Sequence, residues 1–188
     1  MNSRGIHRFV TRVVLGLALA GAARQPLGAA LEAPPVVSVP AVDLLWHAGA
    51  IGVFDREARD NFASVEVRLR RNWHELRPWA GLTLVDSGAW FTGAGLIYDL
   101  RLSSRSRLTL GSGPFYYSHD KEDDDLGFSL EFYSFAEVTW TWRGDTRLGL
   151  RLGHLSNAGL ARKNPGTETL SFVVSVPIDD HTTKIAGP

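Results

Sequence analysis

The stretch Arg147–Ile178, RLGLRLGHLSNAGLARKNPGTETLSFVVSVPI, holds two runs with a side-chain period of two on either side of a polar connection. A period of two is that of an extended strand, whose successive side chains point to opposite faces. In the first run Leu148, Leu150, Leu152, His154 and Ser156 share a face, opposed by Arg147, Gly149, Arg151 and Gly153. In the second, Glu168, Leu170, Phe172, Val174 and Val176 oppose Thr169, Ser171, Val173 and Ser175. A histidine, a serine and a glutamate therefore continue the apolar faces of two neighbouring strands.

Working outward, turn signals divide the chain from residue 44 onward into eight segments of roughly 9 to 14 residues, a length suited to tilted membrane strands. They run approximately over 44–54, 62–70, 78–85, 90–102, 107–117, 127–142, 146–156 and 168–178. An even number suits a closed antiparallel barrel with both ends on one side. Alternation is clean in Val65, Val67 and Leu69 against Glu66, Arg68 and Arg70. The sixth segment sets Leu130, Phe132, Ala136, Val138, Trp140 and Trp142 against Ser129, Glu131, Glu137, Thr139 and Thr141. Charged faces line the lumen of a membrane barrel, where Glu131 and Glu137 are expected to meet Arg68, Arg101 or Arg151. Tight connections at 103–106 and 143–145 against longer ones at 55–61, 118–126 and 157–167 match short periplasmic turns and long outer loops. The seventh strand then runs outward, with His154 and Ser156 near its outer end and Trp140 and Trp142 in the inner aromatic belt. A soluble sandwich or lipocalin-like barrel has similar strands but buries its apolar faces. Alternation alone does not say which face points inward.

The front of the chain favours the membrane. Arg4, Arg8 and Arg12 precede the apolar run 13–23 and small residues, the pattern of a cleavable signal peptide ending near Ala22 or Ala29. The expected organisation is a leader at 1–29, a Pro-rich linker at 30–42 (Pro34, Pro35, Pro40), a barrel at 43–178 and a tail at 179–188. No later stretch approaches the ~20 apolar residues of a spanning helix. Twenty basic residues balance twenty acidic ones, so charge points to neither nucleic acid nor an acidic surface. Cysteine is absent, which removes disulfides, thiolate metal sites and cysteine nucleophiles together.

His154 and Ser156 stand two apart on one strand face, ~7 Å between Cα atoms, a gap that side chains close. A serine hydroxyl needs a base to take its proton, and an imidazole works best when a carboxylate sets its tautomer. Glu168 is the natural orienter, because pairing it with His154 centres the hairpin on residue 161, inside the polar connection. A bulge would shift that register. Three polar residues ending apolar rows are costly against lipid. In the headgroup layer they are cheap, and there they need no catalytic role.

The stretches HLSNAGL and NPGTE, preceded by DLGFSLEF and TRLGLRLG, resemble the PagL family of outer-membrane lipid A 3-O-deacylases, over roughly 111–178. The family's histidine and serine two apart, with a glutamate twelve beyond the serine, are met by His154, Ser156 and Glu168. The resemblance implies an all-β, eight-stranded antiparallel transmembrane β-barrel. Its Ser-His-Glu triad faces the outer leaflet and hydrolyses the ester holding the 3-O-linked hydroxyacyl chain of lipid A. It also implies an oxyanion hole from the asparagine after the serine and the glycine two further on, here Asn157 and Gly159. Asn157 has the wrong parity for its side chain to join Ser156, so backbone N–H groups are the expected donors. No metal or organic cofactor is required. The expected partners are lipopolysaccharide, the outer membrane and, as an allowed extra, a second copy of the chain. The family ends at its last strand, whereas Asp179–Pro188 follow here, which bears on assembly more than on catalysis.

Lesser candidates are His47, an isolated strand histidine with a structural reading, and the acidic loop 120–125, a solvated loop or a collector of divalent cations. Arg162 and Lys163 suit a lipid phosphate, or are surface bases beside a turn. Two alternatives to the deacylase stay open: a structural or adhesive barrel, and a hydrolase or acyltransferase acting on phospholipids.

Overall fold

The computed structural model describes residues 42–54, 59–70, 72, 74–120 and 125–178. The expected leader, linker and tail lie outside them, save Val42, which opens the first strand. Among the described residues eight strands form: β1 Val42–Ile51, β2 Asp60–Leu69, β3 Leu76–Val85, β4 Trp90–Arg101, β5 Ser106–Ser118, β6 Leu130–Thr141, β7 Arg147–Ser156 and β8 Thr167–Ile178. Each pairs antiparallel with the next and β8 closes on β1, so the sheet has no free edge.

Most strand ends fall within two residues of expectation, and two differ by three, each because a left-handed glycine interrupts the ladder. β1 stops at Ile51 rather than Phe54, since Gly52 has φ +71° and turns the chain. β6 starts at Leu130 rather than Gly127, which has φ +93° and donates its N–H to Asp125 Oδ1 at 2.7 Å. The β2–β3, β4–β5 and β6–β7 connections start from one end of the barrel, and the β1–β2, β3–β4, β5–β6 and β7–β8 connections from the other.

Burial settles which face points inward. Leu150 is 59% exposed and Trp140 56%, with Val65, Val67, Leu69, Leu84, Val138, Leu170 and Phe172 also exposed. Glu66, Arg68, Glu137 and Arg151 are buried on the opposite parity. An apolar outside around a charged inside is the inverse of a soluble barrel and is what a bilayer requires.

Among the described residues three layers fill the lumen: Asp43, Arg70, Arg77, Asp99 and Arg107 form an ion-paired network at the inner end, and two more lie beyond it. In the middle, Arg68 holds Glu137 bidentately at 2.9 and 2.7 Å, and Arg151 reaches Glu66 at 2.8 Å and Glu137 at 2.6 Å. Two charges of each sign balance, and the Arg151 guanidinium lies 3.7 Å from the centre of the Phe135 ring. Toward the outer end Trp79, Phe91, Phe115, Tyr133 and Phe135 interlock, with Trp79 5.2 Å from both Phe115 and Phe135. Glu137 joins the ion cluster as expected. Glu131 does not: six residues along β6 separate it from that layer by about 20 Å. Arg101 is exposed at the opposite end.

Candidate active site

β7 and β8 bring His154 and Glu168 together at the outer end of the wall, with Ser156 two residues further along β7. Their register pairs His154 with Glu168 directly, as a hairpin centred on residue 161 demands. His154 Nδ1 lies 3.3 Å from Glu168 Oε1. With the carboxylate at Nδ1, Nε2 is the nitrogen left to serve as base. Ser156 lies two residues on, on the same face, in line with the exposed Leu150 and Leu152.

The three residues share the outward parity yet are covered, His154 being 4% exposed, Ser156 7% and Glu168 2%. Part of the cover comes from the returning chain of the β7–β8 loop. Gly166, with φ +66°, lies so close that a Cβ there would sit 2.9 Å from His154 Cε1 and 3.3 Å from Nε2. Behind the wall, Leu155 and Thr169 are buried, and the Tyr133 hydroxyl meets Thr169 Oγ1 at 3.1 Å. The packed lumen thus holds the backbone that carries His154, Ser156 and Glu168.

The outer loops are strapped to each other through Asn157. Its side-chain N–H2 group donates to Leu126 O at 3.2 Å and Lys163 O at 2.8 Å, while its Oδ1 accepts the Gly159 N–H at 3.0 Å. The Asn157 N–H donates to Asn164 Oδ1 at 3.0 Å. Leu160 N–H returns to Asn157 O at 3.0 Å, closing a turn whose central residues, Ala158 and Gly159, have φ +56° and +85°. Gly159, at φ +85°, takes the left-handed conformation that a glycine adopts without strain. The two expected oxyanion donors, the amides of Asn157 and Gly159, have acceptors within the loop.

A second strap joins Lys163 Nζ to Asp125 Oδ2 at 2.7 Å, with His119 Nε2 3.6 Å from Asp125 Oδ1. The bond from Lys163, then that from the Gly127 N–H, hold the Asp125 carboxyl below its usual range. Asp125 and Lys163 thus pair with each other; the loop positions 121–124 lie outside the described residues. His47 points into the lumen, 3.5 Å from Glu66 and away from the triad, in keeping with its structural reading. Sequence reasoning missed Gly166, Asn164 and the partners of Asn157. The NPG turn signal at 164–166 marks the loop but does not reveal what it covers.

The PagL family, described as lipid A 3-O-deacylase, matches residues 53–177. Among solved structures, "Crystal structure of the outer membrane enzyme PagL" is similar at 23% identity, covering 72% of this chain and 99% of that one, with a TM-score of 0.56. Neisserial surface protein A is similar at 17% identity, covering 73% of this chain and 96% of that one, with a TM-score of 0.53. A comparison with curated proteins finds no match. The inverted barrel and the family match make this an outer-membrane β-barrel protein, and the two solved structures share its fold. With two thirds of its length matched by one family, the chain belongs to the PagL family of lipid A 3-O-deacylases, carboxylic ester hydrolases of the outer membrane.

Proposed function

We propose that the chain removes the 3-O-linked hydroxyacyl chain of lipid A as a serine esterase. The observation that carries this reading is the His154–Glu168 contact of 3.3 Å on the outward face, with Ser156 two residues further along that face. Ser156 Oγ attacks the ester carbonyl, and His154 Nε2 takes its proton and returns it to the departing sugar oxygen. Glu168 holds the tautomer and steadies the imidazolium that forms. Water, activated by the same imidazole, then releases the fatty acid from the acyl-enzyme.

The tetrahedral oxygen draws on the amide hydrogens of Asn157 and Gly159. In the resting protein those hydrogens bond neutral amide oxygens, Asn164 Oδ1 and Asn157 Oδ1. An anionic oxygen forms the stronger, charge-assisted bond and displaces them. The ester enters sideways from the outer leaflet, so lipid A need not leave the bilayer. All named groups come from one chain, and the chemistry needs no second copy.

The test is the mass of lipid A before and after incubation with the purified barrel. Loss of one hydroxyacyl chain by the parent, and none by Ser156→Ala, is the expected result. Equal deacylation by both would remove Ser156 from the mechanism. A parent that releases fatty acid only from phospholipid would replace the substrate.

A further inference from the structure

The inner mouth of the barrel holds a charged cavity that the ester chemistry does not use. Its volume is about 480 Å³, and Arg147 on its wall stands about 23 Å along β7 from His154. Five arginines line it, Arg70, Arg77, Arg101, Arg107 and Arg147, against the carboxylates of Asp43, Glu75 and Asp99. Five positive charges less three negative ones leave an excess of two.

The two inward aspartates are already committed. Asp43 accepts from Arg70 on Oδ1 at 2.7 Å and from Arg77 on Oδ2 at 2.8 Å. Asp99 accepts from Arg77 and Arg107 on Oδ2 at 2.6 and 3.0 Å, and from the Thr109 hydroxyl on Oδ1 at 2.6 Å. Glu75 stands on the exposed rim. Among the described residues Arg147 takes part in none of these ion pairs, and its cross-strand neighbours Thr141 and Ser175 are neutral. Arg147 is nonetheless half-buried, and a guanidinium withdrawn from water without a counter-charge is costly. Arg101 sharpens the imbalance, because it pairs directly with Arg107 across β4 and β5, and like charges placed opposite each other repel.

We propose that this inner mouth is a binding site for a phosphate oxyanion, held by Arg147, Arg101 and Arg107. A dianionic phosphate monoester balances the excess of two, and planar guanidinium forks bind its oxygens in bidentate pairs. An anion there offsets the repulsion between Arg101 and Arg107 and gives Arg147 the counter-charge its neighbours lack. Chloride meets the charge but offers no set of oxygens for the forks. The cavity is much larger than one phosphate group, so a substituted phosphate fits. That chemistry comes from two sources, a soluble phosphate monoester or the headgroup of an anionic phospholipid at the rim. The ion cluster of Glu66, Arg68, Glu137 and Arg151 separates this mouth from the outer end, so the phosphates of a lipid at His154 do not reach it. The inference stands apart from the esterase mechanism.

The test is calorimetric titration of glycerol 3-phosphate into the refolded barrel in an uncharged maltoside detergent, with ionic strength held constant by sodium chloride. Folding is followed by heat-modifiable gel migration. The parent should bind saturably. Arg147→Gln should weaken binding by about 10-fold or more, the worth of a charge-assisted hydrogen bond, and Arg147→Lys, which keeps the charge without the fork, should recover part of it. If Arg147→Gln does not fold, Arg101→Gln at the exposed rim carries the same comparison. Arg162→Gln, in the outer β7–β8 loop, should bind as the parent does. Doping the micelles with phosphatidic acid separates the sources: competition assigns the site to a lipid headgroup, and undisturbed binding assigns it to a soluble phosphate. No saturable binding by the folded parent overturns the proposal. So does an affinity unchanged in folded Arg147→Gln and Arg101→Gln, or one lowered equally by Arg162→Gln.

Discussion

Replacing Gly166 by alanine perturbs the His154 imidazole while leaving the three proposed catalytic residues unsubstituted. The new Cβ would lie 2.9 Å from His154 Cε1, so the ring or the loop must retreat by roughly 0.7 Å to reach an ordinary ~3.6 Å carbon contact. Displacements approaching 1 Å at a reacting group cost on the order of 10- to 100-fold in rate. The left-handed φ of +66° adds backbone strain of about 1–2 kcal/mol for a residue with a Cβ. Gly144→Ala separates the two effects, because Gly144 has φ +56° in the β6–β7 turn and nothing lies within 4 Å of its would-be Cβ. Both variants should lose similar stability in urea titrations of the barrel in vesicles. Only Gly166→Ala should lose lipid A turnover by 10-fold or more, read by the mass shift over time. Turnover by Gly166→Ala within twofold of Gly144→Ala would refute the claim that this glycine seats the catalytic ring.

Glu168→Gln keeps the shape but not the charge at His154 Nδ1, and kcat should fall by about 10³- to 10⁴-fold with the fold intact, measured as lipid A turnover. Arg151→Ala strips Glu137 and Glu66 of a shared partner inside the lumen; the unfolding free energy in vesicles should drop by about 3–5 kcal/mol, the cost of stranding buried charge. Because the Asp125 carboxyl titrates below its unfolded value, the loop strap it makes with Lys163 and Gly127 is present above the usual carboxylate range and is lost as pH falls through the depressed folded value. Amide-exchange protection at Gly127 should fall over that window, and Asp125→Asn should abolish the pH dependence. The exposed Lys163 bond itself is worth little in stability, so Lys163→Ala should leave the urea midpoint nearly unmoved.

The fold was legible to the extent that it is a periodic, local property. Eight alternating segments appear within a few residues of their observed ends, and the two larger misses, at Gly52 and Gly127, occur where a left-handed backbone cuts an apolar run short. The His154–Glu168 pairing was also legible, because a hairpin's register follows from the midpoint of its own loop. The environment of Asn157 was not. Its acceptors, Leu126 O and Lys163 O, belong to two different loops, one of them 31 residues away in the chain, and a backbone carbonyl leaves no residue-type signal. Glu131 likewise shares the inward parity of Glu137 yet misses the arginines, since parity gives the face and not the height.

Alternation and hairpin spacing, read from the residues alone, determine that strands form, how β7 and β8 align, and that His154, Ser156 and Glu168 share one face. Closure of the barrel decides that this face is the outside, because only a cylinder makes one side of every strand converge on a packed, ion-paired interior. The tertiary structure alone decides how the loops are strapped and which residue covers the imidazole. Those contacts run across an irregular loop or between two loops, and no periodicity encodes them.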